Sequence, residues 1–85
     1  MNYKVEILPQ ARKALFDIDS RYADKIKKRI DLLGIDPRHH GSIKLSGQQD
    51  SYRTRVGKYR ILYKIYADKV LVVVVNVDHR KDIYR

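Results

Sequence analysis

The chain has 85 residues, 19 Lys plus Arg against 10 Asp plus Glu, and a formal charge of +9. That length holds one small domain, residues 1–85, with a modest core, and the absence of cysteine excludes a disulfide framework and a thiolate metal site. No apolar run spans a bilayer and the opening Met1-Asn2-Tyr3-Lys4 is no signal peptide, so a soluble cytoplasmic protein is expected, its charge directed at nucleic acid or an acidic partner rather than a membrane.

Tyr3 to Ile7 alternates apolar and polar residues and predicts a first strand. Pro9 suits the first turn of a helix, and Ala11, Ala14, Leu15 and Ile18 recur at helical spacing, so a short helix is predicted over 9–18. Asp19 or Ser20 caps a second helix running from about Arg21 to Leu33, with Tyr22, Ile26, Ile30 and Leu33 as its apolar stripe. Gly34 then reads as the residue past the helix end, and Pro37 confirms the stop. Lys25, Lys27, Lys28 and Arg29 read as a solvated face that steers a large polyanion. Residues 35–50 read as a connecting loop pinned by Ile43 and Leu45. His39 and His40 are loop-surface residues there, with no cluster of Asp, Glu or Cys beside them to build a metal site.

Gly57-Lys58 separates two alternating segments, and glycine at the first central position suits a type II′ hairpin turn. Counting outward, Val56 faces Tyr59, Arg55 faces Arg60, Thr54 faces Ile61 and Arg53 faces Leu62. One hairpin face then carries Tyr52, Thr54, Val56, Tyr59, Ile61, Tyr63 and Ile65, a core pattern; the other carries Arg53, Arg55, Arg60 and Lys64 with Leu62 and Tyr66. Like charges directly opposite cost about 0.2–1 kcal/mol, and no carboxylate lies within either strand. The fold gains nothing from this, whereas a bound phosphate would.

Ala67-Asp68-Lys69 is a turn, and the β-branched run Val70–Val77 predicts a central strand covered on both faces. Asn76, Asp78 and His79 mark its end, and Ile83-Tyr84 reads as a few residues of edge strand. The order strand, helix, helix, strand, strand, strand predicts an α+β fold. Its N-terminal helical hairpin lies on a mostly antiparallel four-stranded sheet.

Paired carboxylates, a Gly-rich phosphate loop and a nucleophile–base–acid set are all missing, and scattered Asp and Glu argue for chemistry without a metal or other cofactor. RNA carries its own nucleophile, the 2′-hydroxyl. A protein cleaves RNA by aligning that hydroxyl with the scissile phosphate and stabilising the charge on the phosphoryl oxygens. Guanidinium groups suit the second task, which nominates Arg53, Arg55, Arg60 and Arg80. Proton transfer falls to Tyr84 or His79, although a tyrosine near a chain end is also a common packing residue and a histidine at a strand end a common surface one.

The chain resembles the RelE/ParE toxin superfamily and, within it, the RelE-like toxins, through Leu8-Pro9-Gln10-Ala11-Arg12-Lys13-Ala14-Leu15, Lys44-Leu45-Ser46-Gly47, the Tyr52–Tyr63 hairpin and His79-Arg80-Lys81-Asp82-Ile83-Tyr84. The resemblance implies a microbial-RNase-like fold, mRNA cleavage in the ribosomal A site, and neutralisation by an acidic RelB-like antitoxin in a hetero-oligomer. It makes ribosome, mRNA and rRNA the other partners. It implies that Tyr84 deprotonates the 2′-hydroxyl, that Arg60 and Arg80 stabilise the phosphate, and that Arg53 and Arg55 hold the backbone. Lys44, Lys58, His79 and Lys81 are expected to bind RNA. Some relatives carry lysine at the two hairpin positions; arginine does not give up its proton, which shifts weight to Tyr84. The superfamily also contains ParE-like poisons of DNA gyrase that cleave no RNA, and a non-catalytic RNA- or antitoxin-binding chain is the third reading.

Overall fold

The computed structural model describes residues 2–79. Strand β1 (Lys4–Ile7) exposes Lys4 and Glu6 and half-buries Val5 and Ile7, as its alternation requires. Helix α1 (Pro9–Phe16) begins on Pro9 and ends two residues earlier than its spacing predicts, the Asp17 N–H turning back to the last carbonyls. Helix α2 (Ser20–Ile35) is capped by Asp19, whose Oδ1 accepts from the Arg21 N–H at 2.9 Å. That bond holds the Asp19 carboxyl below its ordinary value.

Gly34 is not the residue past the end of α2; it lies inside the helix, which continues to Ile35. A Cβ there would sit 3.1 Å from Val5 Cγ2 and 3.3 Å from the Tyr3 carbonyl oxygen. The Tyr3 N–H donates to the Gly34 carbonyl at 2.6 Å. Glycine is therefore needed for the close approach of helix and β1, and Asp36, extended ahead of Pro37, closes the helix.

Among the described residues the sheet has five strands where the sequence predicts four. Its order is β1-β5-β4-β3-β2, with β1 parallel to β5 and the remaining pairs antiparallel. The added strand β2 (Ile43–Lys44) lies in the segment expected to be loop, and two residues carry no periodicity for sequence to reveal. Ile43 does not pin this segment to the core; it is 47% exposed at the sheet edge.

Strands β3 (Ser51–Val56) and β4 (Tyr59–Tyr66) form the hairpin in the expected register, with Arg55 opposite Arg60. Gly57 has φ of +59°, the left-handed value that the first position of the turn demands. A short 3₁₀ turn over Ala67–Lys69 leads into β5 (Leu71–His79).

Strand β5 is central, between β1 and β4, but the helices cover only one of its faces. Val72, Val74 and Val77 are buried, while Val73 and Val75 are half-buried on the open side. The step of three between Val74 and Val77 is a β-bulge. Leu62 pairs with Asn76 and Tyr63 with Val74, so Val75 has no opposite number. The Val75 carbonyl accepts instead from Gln10 Nε2 of α1 at 2.7 Å. The core lies between the helices and the sheet, built from Ile26, Leu33, Ile61, Tyr63, Ile65 and their neighbours.

Candidate nucleic-acid interface

Hairpin alternation sends Thr54, Val56, Ile61, Tyr63 and Ile65 into the core and leaves Arg53, Arg55, Arg60, Leu62 and Lys64 on the face away from the helices. Arg55 is exposed; Arg53 and Arg60 are half-buried. The Nε atoms of Arg53 and Arg60 are both buried and make no hydrogen bond. A buried donor left unpaired costs about 1–3 kcal/mol, which an incoming phosphate oxygen would relieve. Beside Arg60 lies a hollow of about 260 Å³ bounded by Leu45, Gln48, Tyr52, Leu62, Lys64 and Val75.

The bulge in β5 decides which residues of the last strand join this face. Counting by twos from Val74 would turn Asp78 inward and His79 outward. The extra residue reverses that phase, so Asp78 lies opposite Arg60 and His79 opposite Tyr59. Asp78 is the carboxylate that the hairpin sequence lacked. Its Oδ2 is 3.9 Å from Arg60 Nη2, outside hydrogen-bond range, and its Oδ1 accepts from Asn76 Nδ2 at 3.0 Å. Arg60 is thus partly compensated, and Arg53 and Arg55 have no carboxylate partner among the described residues.

Several expected RNA contacts lie elsewhere. His79 is on the helix side, its ring edge-on to Tyr59 with centroids 5.0 Å apart. Lys44 is also off the arginine face, because Ile43 pairs with Arg53 and Lys44 with Tyr52, whose ring stacks on buried Tyr63. Lys58 is exposed at the hairpin tip. Arg80, Lys81 and Tyr84, and the edge strand expected at Ile83-Tyr84, lie outside the described residues.

Two residues matter more than their sequence context suggests. Arg29 is not a freely solvated helix residue. Its Nη1 donates to Thr54 Oγ1 at 2.7 Å and to the Arg55 carbonyl at 2.9 Å. His39 is half-buried; its Nδ1 accepts from the Gly41 N–H at 3.1 Å and its Nε2 is buried without a partner. Burial first, and then the Arg29 charge, push the His39 pKa down. No spacing rule would have found Arg29, since its partners depend on where α2 crosses β3.

Tyr63 has no part in proton transfer. Its hydroxyl donates to the Pro37 carbonyl at 2.7 Å, and burial pushes its pKa up to about 12. Among the described residues no three His, Cys, Asp or Glu side chains cluster closely enough to share a cation. The arginine face can therefore bind phosphate and place positive charge beside its oxygens, and Asp78 and Lys64 share that face among the described residues.

The sequence profile of the ParE toxin of type II toxin–antitoxin systems (parDE) matches residues 5–84. Toxin RelG of Mycobacterium tuberculosis is 33% identical over 86 residues, covering 100% of this chain and 99% of RelG. In the crystal structure of the archaeal RelE-RelB complex from Pyrococcus horikoshii OT3, one chain superposes with a TM-score of 0.84 at 28% identity, covering 94% of this chain and 97% of that one. The toxin-antitoxin complex RelBE2 from Mycobacterium tuberculosis gives a TM-score of 0.81 at 26% identity, covering 94% of this chain and 100% of the other.

Proposed function

The chain belongs to the RelE/ParE superfamily of type II toxin–antitoxin toxins, and from that premise we propose that it is a ribosome-dependent endoribonuclease that cuts mRNA in the ribosomal A site. The observation that carries this reading is the pairing of Arg55 with Arg60 beside Arg53, two of the three holding a buried Nε with no partner.

In the proposed reaction the 2′-hydroxyl attacks the adjacent phosphorus in line with the leaving 5′-oxygen. Tyr84 takes the 2′-hydroxyl proton, the P–O5′ bond breaks, and the 5′-oxygen takes up a proton. The products are a 2′,3′-cyclic phosphate and a 5′-hydroxyl. Arg60 and Arg80 stabilise the phosphoryl oxygens, with Arg80 nearest the leaving group, and Arg53 and Arg55 hold the backbone. An ordinary tyrosine has a pKa of about 10, so this role requires a neighbouring positive charge that favours the phenolate. The reaction needs no metal ion, since the arginines supply the positive charge.

The solved relatives include toxins held by RelB-type antitoxins. We extend this to an acidic RelB-like antitoxin for the present chain, with complementary charge setting the rate of encounter.

Primer extension on a translated message tests the activity. Discrete cuts within A-site codons, reduced roughly 10²–10³-fold by Arg60→Ala in a protein of unchanged melting behaviour, are expected. Absence of cuts together with inhibited supercoiling by purified gyrase would establish the ParE-like reading instead.

A further inference from the structure

Strand β2 is too short to cover its neighbour. It pairs only with Tyr52 and Arg53, so β3 from Thr54 onward has an open outer edge that faces α2. A cavity of about 390 Å³ lies at this edge, lined by Arg29, Gly41, Ile43, Arg53, Thr54 and Arg55. It is separate from the hollow at Arg60 and shares no lining residue with it. Three of its six walls are arginine and none is a carboxylate. The two ion pairs among the described residues belong to Arg21 and Arg60, so no described carboxylate pairs with the three guanidiniums of the cavity.

Arg29 is already oriented. Both hydrogens of its Nη1 are engaged by Thr54 and the Arg55 carbonyl, which holds the guanidinium plane still. Its Nη2 and Nε keep their hydrogens for a ligand. A preset planar fork loses little freedom on binding a tetrahedral oxyanion. Arg53 and Arg55 line this cavity and also belong to the arginine face, so a strand bound across that face is led to it.

We infer that the cavity between α2 and the open edge of β3 is a second phosphate seat, taking a backbone phosphate of single-stranded RNA where the strand leaves the arginine face. The inference rests on the reading of that face as an RNA site and gives the bound strand a direction, across the hairpin toward β3 and over its edge onto α2. An acidic peptide would find the same charges but only Ile43 as an apolar anchor, so RNA is the better occupant.

Gly41 provides the test. A Cβ there meets His39 Cε1 at 3.4 Å, an ordinary contact, and the backbone is not left-handed, so a side chain is tolerated. Gly41→Glu places a carboxylate at the arginine cavity, and Gly41→Gln is its neutral match. Binding of a short single-stranded RNA is measured by anisotropy across a salt titration, alongside Arg60→Ala. Gly41→Glu is expected to weaken binding about fivefold near 0.1 M salt and to flatten the log–log salt slope by roughly 0.7, the loss of one phosphate contact on a single strand. Gly41→Gln fills the same space without the charge, and a loss of affinity and a flattening of slope equal to those of Gly41→Glu would overturn the seat, since bulk alone would then account for both.

Parent-like binding by Gly41→Glu, with weakening by Arg60→Ala, overturns the second seat and leaves the arginine face standing. Parent-like binding by both variants overturns both. Unchanged RNA binding with a weakened antitoxin complex in Gly41→Glu would assign the cavity to an acidic protein segment instead.

Discussion

Arg29 and His39 show how a committed side chain is hidden from sequence. Each lies in a polar stretch whose plainest reading is a solvated surface; Arg29 is committed because α2 crosses the end of β3, and His39 because its loop folds back on it. His39 has a measurable consequence. Its pKa is depressed in the folded chain by burial and by Arg29, so below about pH 6.5, the ordinary histidine value, the unfolded chain binds more protons. Its contribution to stability is therefore complete above that pH and is lost as pH falls through the depressed folded value. Melting temperature should fall on acidification over this range, and His39→Gln should flatten that part of the profile. An identical slope in the variant would remove His39 as its source. The arginines, by contrast, were legible, because opposed like charges on a strand pair are visible from alternation and a turn signal alone.

At the scale of elements, the hairpin register, both helices and the placement of their apolar stripes follow from periodicity and caps. What periodicity misses is any device one or two residues long. The two-residue β2 supplies a fifth strand, and the single extra residue at Val75 exchanges the faces of Asp78 and His79. A valine run has the same chemistry on both sides of the bulge, so nothing in it marks the slip. Gly34 is a third such device, read as a helix stop when its real task is close approach to β1. Gly34→Val should cost about 1–3 kcal/mol in urea unfolding, by pressing on Val5 and the Tyr3 carbonyl. A variant as stable as the parent would show that β1 can move aside.

For the whole molecule, +9 on 85 residues is a field as well as a set of contacts. The antitoxin complex should form more slowly as salt rises, with dissociation changing less, when followed by stopped-flow mixing. Association indifferent to salt would leave the charge to RNA alone. The arginine face makes the sharper demand, because the charges proposed to bind phosphate also repel one another in its absence. The most direct measurement is the unfolding free energy of Arg55→Gln in urea, free of RNA. Arg55 is exposed, opposes Arg60 and has no carboxylate partner among the described residues, so its removal should stabilise the protein by about 0.2–1 kcal/mol while message cleavage falls. A variant less stable than the parent, cutting at the parent's rate, would mean that Arg55 serves the fold and that no phosphate belongs between these strands.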